Sequence, residues 1–502
     1  MDPQYIIVQA GGKGTRMEQL TRNKPKALVP VNNLPMLFHL FRRYPDKTFI
    51  VIGDYKYTVL ERYLETFAEV RYELVSAAGM TGTCAGIGKA LSVLPAEVSF
   101  MLIWSDLVLP ESFSFPESIG NYVGIAKDFP CRWKYEHGSF TEERSEDFGV
   151  AGLFLFEEKS ALKDIPEQGE FVRWLKGQAL PLQSLDLYQT KEYGLLSQYQ
   201  KQAEGAKRCR PFNSITVAED TVIKEAIDEQ GRILAQRERC WYDYVMKHSF
   251  PYIPQIKSLD PLKMEYVKGK NLYEYPDTEL EEKRKMLSTT IEALKKLHGM
   301  GEIPCDPISF EDAYIVKTFE RLRKVEHLIP FAQDEEIVIN GRRCRNVYFH
   351  WEDLRKAVMQ YLPPHFQFIH GDCTFSNMLL RENGSPVLID PRGYFGRTEL
   401  YGDPAYDWAK LYYSITGNYD QFNLKKFTLE IGRSEVTLRI DSNHWENMEE
   451  TFFSLLGSEV DRRQIKLYHA IIWLSLTTYA WEDYDSICGA FYNGLYYLED
   501  VL

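Results

Sequence analysis

The sequence predicts an α/β chain of two domains. The first, residues 1–203, is a mainly parallel sheet covered by helices; the second, 204–502, is an α+β domain with a small lobe (204–270) and a large helical lobe (271–502). Three observations carry this reading. The chain has 502 residues, more than one hydrophobic core usually organises. Its first third alternates short apolar strands with helical stretches, the pattern of a parallel sheet with both faces covered. After a polar run, Glu204 to Arg210, that alternation gives way to β-rich segments and then to mostly helical sequence.

In chain order, Tyr5 to Gln9, Phe49 to Gly53 and Phe100 to Trp104 read as buried strands, with helices at Val59 to Phe67 and Ala85 to Leu94. Gly149 to Phe156 reads as a further strand and Lys191 to Ala203 as a closing helix. Past the boundary, Ser214 to Ile227 predicts two strands around a turn at Glu219-Asp220, followed by a long amphipathic helix from Ile233 to Lys247. Asn340-Gly341 signals a hairpin, and an apolar strand pair falls between Phe366 and Asp390.

Composition narrows the class. A hydrophobic fraction of 44% and a charged fraction of 26% belong to ordinary globular protein, which excludes a disordered or fibrous chain. A net charge of -13 argues against a nucleic-acid partner, but a nucleotide site needs only a local patch of amides and cations. The eight cysteines are scattered with no C-x-x-C pair, which fits neither a zinc site nor a disulfide framework and points to reduced thiols in the cytoplasm. The start, Met1-Asp2-Pro3-Gln4, lacks the regions of a signal peptide, and no apolar run suffices to span a bilayer. No membrane insertion is therefore expected, and a homo-oligomer is left open.

The first chemical signal is Ala10-Gly11-Gly12-Lys13-Gly14-Thr15-Arg16, directly after the first strand. Glycines there let backbone N–H groups approach a triphosphate, and an arginine adds bidentate phosphate contacts. The run continues to Lys24-Pro25-Lys26-Ala27-Leu28. Together these resemble the sugar-phosphate and phosphocholine nucleotidyltransferase family, with its G-G-x-G-T-R loop and K-P-K-A-L extension. The resemblance implies a Rossmann-like domain in which Lys26 and Arg16 act on the reacting phosphates and Gly11, Gly12, Gly14 and Thr15 bind nucleotide. It also implies that Asp106 and Asp186 hold Mg²⁺ and that Gly82 and Thr83 belong to a base-recognition loop; read alone, either aspartate could be a turn or capping residue.

The second signal is Ile369-His370-Gly371-Asp372-Cys373-Thr374-Phe375-Ser376-Asn377, followed by Ile389-Asp390-Pro391-Arg392-Gly393. Phosphoryl transfer to a hydroxyl needs a carboxylate to take the proton and oxygen ligands for the metal on the ATP phosphates. An Asp, an Asn five residues later and an Asp after a further strand supply that set. This spacing resembles the aminoglycoside phosphotransferase and choline kinase superfamily. By that resemblance Asp372 is the catalytic base, Asn377 and Asp390 bind Mg²⁺, and His370 and Asp407 brace the loop. Lys224 is the phosphate-binding lysine of the small lobe and Glu238 its partner, though Glu225 and Glu229 compete. Glu265 and Tyr266 lie in the segment that would read adenine. For the acceptor, Trp481 and Tyr484 form an aromatic cluster that could hold a quaternary ammonium, or simply pack as core.

Two catalytic sets in one chain imply consecutive steps: ATP phosphorylates a small alcohol, then CTP or another nucleoside triphosphate activates that phosphate and releases pyrophosphate. The family resemblance makes the alcohol choline or a related amino alcohol, in decoration of bacterial surface polysaccharide. A sugar or polyol of a capsule pathway is the alternative, and a scaffold with inactive enzyme folds is a third.

Overall fold

The computed structural model describes residues 1–203 and 213–502. The expected boundary run, Glu204 to Arg210, lies outside the described residues. Contacts divide the chain into two compact units, Met1–Arg208 with Glu482–Tyr484, and Cys209–Trp481 with Asp485–Leu502. No described helix is long and apolar enough to cross a membrane.

The first unit is built on one mixed sheet. Its strands include β1 (Tyr5–Gln9), β2 (Thr48–Gly53), β3 (Arg71–Ser76), β4 (Phe100–Trp104), β5 (Tyr122–Ala126), β6 (Gly149–Phe156) and β7 (Gln183–Leu187). The run β3-β2-β1-β4 is parallel; β6 then pairs antiparallel with β4, and β5 lies between β6 and β7. The parallel strands read as unbroken apolar runs because both faces are covered: Ile6, Ile7, Val8, Phe49, Val51, Ile52, Leu102 and Ile103 are all buried. Helix α1 (Thr83–Val93) lays Cys84, Ile87, Ala90 and Leu91 into the core that holds Ile50 and Ile52.

The closing helix is shorter than expected. It spans Leu196–Ala203, and Lys191–Glu192 forms a short strand antiparallel to Leu107–Val108. Tyr193 is buried and its N–H donates to the Asp106 carbonyl at 3.0 Å, which draws this segment out of a helix and against the end of β4.

In the second unit, β8 (Asn213–Ala218), β9 (Thr221–Ala226), β10 (Ile256–Leu259) and β11 (Leu262–Glu265) form an antiparallel sheet in the order β8-β9-β11-β10. Helix α2 (Glu229–Lys247) starts where the Asp228 carboxylate accepts from Gly231 N at 2.7 Å. Its buried Trp241 donates from Nε1 to the Ile369 carbonyl at 2.9 Å, tying the helix to the segment that enters the His370 loop. The helical part includes α3 (Lys317–Val325), α4 (Pro404–Ile415) and α5 (Arg462–Leu476), with a hairpin of β12 (Met378–Arg381) and β13 (Pro386–Leu388) after the loop. The Asn340-Gly341 hairpin forms as the sequence predicts, with both residues at positive φ (51° and 76°).

Gly82 precedes α1 at φ 86°, and a Cβ there would collide with the Gly169 carbonyl. Gly12 has open space around it. Gly82→Ala is therefore expected to destabilise the chain by about 1–3 kcal/mol, whereas Gly12→Ala stays within about 0.5 kcal/mol. Urea unfolding of the full chain checks this, and equal midpoints for the two variants would contradict it.

Candidate active sites

The first site gathers at the C-terminal end of β1 and β4, the edge where open α/β sheets place ligand groups. The glycine loop leaves β1 with Ala10 N donating to the Ile52 carbonyl at 3.0 Å. Gly14 turns it at φ 63°, and a Cβ there would press on Lys26 and Thr21 at 3.1 Å. This close approach brings Lys26, from a tight turn at Lys26–Leu28, onto the Asp106 carboxylate as a largely buried ion pair. Two of the residues singled out in the sequence thus meet.

Asp186 does not join them. It lies on β7, with two strands between β7 and β4. There it pairs with Lys127 at 3.1 Å and accepts from Tyr188 at 3.3 Å. The carboxylate beside Asp106 is instead Glu192, which sits opposite Leu107 on the short strand. Burial and the Asp106 charge push the Glu192 carboxyl up, against the opposing pull of Lys26 and Arg16. Its sequence signal was weak, because Lys191-Glu192-Tyr193 fits a helix as well as a strand. Gly82 and Thr83 have packing work: Thr83 Oγ1 accepts from Phe171 N at 2.8 Å, and Gly82 abuts Gly169.

In the second unit the predicted residues converge. Lys224 on β9 bonds Glu238 of α2 at 2.7 Å and Asp390 at 2.8 Å. Burial alone would lower the Lys224 pKa, but the two carboxylates outweigh it and hold it above the ordinary value. Asp390 stands at φ 54°, an uncommon backbone state that aims its half-exposed carboxylate at this centre. Asn377 donates from Nδ2 to both the backbone and side-chain oxygens of Asp372, each at 2.9 Å, which leaves its amide oxygen as an acceptor. Lys410 closes the group, 3.0 Å from Asp372. The sequence reading missed Lys410, although it lies three residues past Asp407 and so on the same face of α4.

The loop is held from behind. Asp407 is fully buried and accepts from His370 N at 2.9 Å, Gly371 N at 2.7 Å and the His298 ring at 3.0 Å. Burial pushes its carboxyl up, but the His298 hydrogen bond and charge outweigh that, and it stays below its usual range. His370 accepts from Asp372 N through Nδ1, so Nε2 carries the proton it gives to the Ile389 carbonyl. It therefore links the two halves of the site.

Other expected contacts are otherwise occupied. Glu265 grips Arg381 with both oxygens, at 2.6 and 2.8 Å, which lowers its carboxyl to about 2. The backbone N–H groups of Glu265 and Tyr266 donate to Gln255 and Asp220. Trp481 is half-buried and Tyr484 buried at the start of the helix Tyr484–Leu498. Lys410, which pairs with Asp372, faces the Tyr413 ring at 5.4 Å and the Tyr406 ring at 6.0 Å.

Two stretches of the chain match known family models. Residues 6–113 match the family model of the MobA-like NTP transferase domain, and residues 227–427 that of the phosphotransferase enzyme family. The first match is to a nucleotidyltransferase domain and the second to a phosphotransferase family, and neither covers half of the chain. Among curated proteins it is 37% identical over 68 residues to a UTP--glucose-1-phosphate uridylyltransferase of Haloferax volcanii, covering 13% of this chain and 28% of that protein. It is 24% identical over 124 residues to the bifunctional protein GlmU of Methanococcus maripaludis, covering 24% and 29%. The chain spans under a third of the length of these relatives. A solved CTP:phosphocholine cytidylyltransferase from Streptococcus pneumoniae is 19% identical, covers 41% of this chain and all of that one, and has a TM-score of 0.34.

Asp403 and Asp420, which cap and brace around the loop, are both raised to about 6, chiefly by burial. Each binds its proton more tightly folded than unfolded. Between about pH 4 and 6 the folded state therefore holds more protons, and their contribution to stability falls as pH rises. Asp403→Asn should flatten this slope by an amount approaching 3 kcal/mol. Urea unfolding at pH 4, 5, 6 and 7 measures it; an unchanged slope in the variant would refute the assignment.

Proposed function

We propose that the chain performs two successive transfers. The second domain moves the γ-phosphoryl group of ATP onto the hydroxyl of a small-molecule alcohol. The first then joins that phosphate to the α-phosphorus of CTP, with pyrophosphate as the leaving group. The observation that carries the reading is the grouping of Asp372, Asn377, Asp390, Lys224 and Glu238 around one centre, with Asp372 held by Asn377 and Lys410.

In the phosphorylation step Asp372 receives the hydroxyl proton as the alcohol oxygen attacks and the bond to ADP breaks. Lys224 is positioned for the nucleotide phosphates and Glu238 keeps it in place. Asn377 and Asp390 offer oxygen atoms suited to a hard cation, and Mg²⁺ bound there with the phosphates would offset their charge. In the first domain Lys26 serves the reacting phosphates beside Asp106, Arg16 and the loop Gly11 to Thr15 supply phosphate contacts, and Asp106 with Glu192 is the better oxygen pair for Mg²⁺. CTP is proposed as donor because the matched relatives include a glucose-1-phosphate cytidylyltransferase of Salmonella typhimurium, 34% identical over 64 residues. Both a choline-like amino alcohol and a sugar or polyol have the required hydroxyl, and either CDP conjugate would suit assembly of a surface polysaccharide. Side chains of cations, rather than carboxylates, crowd the Asp372 side of the site, which favours the sugar or polyol class.

The two steps should separate by mutation. Asp372→Asn is expected to lower alcohol-dependent ADP release by several orders of magnitude while pyrophosphate release from CTP and a pre-formed phosphate persists. Lys26→Ala should do the reverse, costing about 2–4 kcal/mol of transition-state stabilisation in the nucleotidyl step. Coupled assays for ADP and pyrophosphate on the full chain measure both. Loss of both activities in either variant, with melting temperature unchanged, would overturn the division of labour.

A further inference from the structure

We propose that the alcohol phosphorylated at Asp372 carries an anionic group, a carboxylate or a phosphate, which is held by Arg237, Lys317, Arg321 and Arg392. The inference rests on the reading of Asp372 as the base that receives the acceptor's proton. It names the substrate class of that site.

The cations converge on a small set of tyrosine rings next to Asp372. Lys410, already on Asp372, faces Tyr406 at 6.0 Å, and Lys317 from α3 faces the same ring at 5.5 Å. Arg392 follows Asp390 by two residues and donates to Tyr406 Oη at 3.0 Å and Tyr394 Oη at 2.9 Å. Its guanidinium lies 4.4 Å from the Tyr394 ring centre, and that of Arg237 from α2 lies 4.1 Å from the same ring. Arg321, one turn along α3 from Lys317, faces Tyr479 at 4.5 Å and donates to the Ser475 carbonyl and hydroxyl.

Among the described residues, none of Arg237, Lys317, Arg321 and Arg392 forms an ion pair with a carboxylate. Every other cation drawn into the catalytic centre has one: Lys224 has Glu238 and Asp390, and Lys410 has Asp372. Burial depresses the Lys317 ammonium, and Arg392, Arg321 and Lys410 depress it further, with no carboxylate opposing them. Like charges that are partly desolvated and unneutralised are unfavourable unless a counter-charge arrives. Tyrosine faces and hydroxyls orient these groups but add no formal charge. The missing partner is therefore an anion, and two arginines beside a lysine present the planar forks and point charge that carboxylate and phosphate recognise. A quaternary ammonium would meet repulsion here.

The test uses the full chain with Mg²⁺ and ATP. ADP release is compared for matched alcohols: glycerol, glycerate and glycerol 3-phosphate; glucose, gluconate and glucose 6-phosphate; and choline. The anionic members are expected to exceed their neutral counterparts by about 100-fold or more in kcat/KM, and the better of carboxylate or phosphate identifies the group. Arg321→Gln and Lys317→Met should each raise the anionic KM tenfold or more, with the KM for ATP unchanged, and Arg321→Lys and Lys317→Arg should restore part of the affinity. Preference for choline or a neutral alcohol, or an anionic KM unmoved in all variants with normal melting temperatures, would overturn the proposal while leaving the kinase reading intact. A second readout is titration of inorganic phosphate and oxalate into the chain loaded with a non-hydrolysable ATP analogue. If no alcohol is turned over, binding of these probes that is lost in Arg321→Gln with Lys317→Met keeps the anion site and removes the kinase reading; no difference from the unmodified chain removes the anion site.

Discussion

A single buried carboxylate sets the geometry of the second domain. Asp407 has no exposure to solvent, yet it remains ionised because three donors converge on it, the His298 ring and the backbone N–H groups of His370 and Gly371. Backbone donors aimed at one side chain fix the path of the loop rather than merely a contact, and Gly371 at φ 81° completes the turn. Asp372, the next residue, has its direction determined by that anchoring. His370 then carries the constraint across to the Ile389 carbonyl, one residue before Asp390. Asp372 and Asp390 are thus positioned by one hydrogen-bonded chain that starts at α4.

The first domain solves the same problem by different means. Its charged centre sits on a sheet edge, where parallel strands end together and the loops after them are close neighbours. Lys26 reaches Asp106 because Gly14 lets the loop pass close to its stem, and because the short strand at Lys191–Glu192 closes the other side. The pair is largely buried, so breaking it by removing one partner would leave a costly lone charge. A nucleotide phosphate entering here would meet a lysine already fixed in place, which is the preorganisation that such chemistry requires.

What the sequence disclosed follows the range of the interactions involved. Strands β1, β2 and β4 were legible because apolar runs with turn signals are local features. So were Asp372, Asn377 and Asp390, whose spacing is set by a loop and one hairpin. Lys224 and Glu238 were legible because a strand and the next helix lie side by side. The placement of Asp186 was not legible, because it depends on sheet order: β7 joins beside β5, and no local pattern says that two further strands then stand between it and β4. Glu192 was hidden for the converse reason, since only the tertiary pairing with Leu107–Val108 turns a helix-like segment into the site's second carboxylate. Lys317 and Arg321 lie on the helix Lys317–Val325 with no local motif around them. Their significance comes from Arg392 and the tyrosines, which lie some 70 to 160 residues further on in sequence.

The net charge of -13 had pointed away from a nucleic-acid partner, and for an extended polyanion that argument holds, because nucleic acid samples a broad surface. It has little force for a small ligand. At physiological salt the Debye length is about 8 Å, so a bound carboxylate or phosphate in a partly enclosed pocket responds mainly to its immediate neighbours. Lys317, Arg321 and Arg392 draw on one another's field there without a carboxylate to cancel it, whereas the acidic excess is spread over a surface that solvent and salt screen. Composition therefore constrains what can bind broadly to the chain, and only the local arrangement of side chains constrains what can bind beside Asp372.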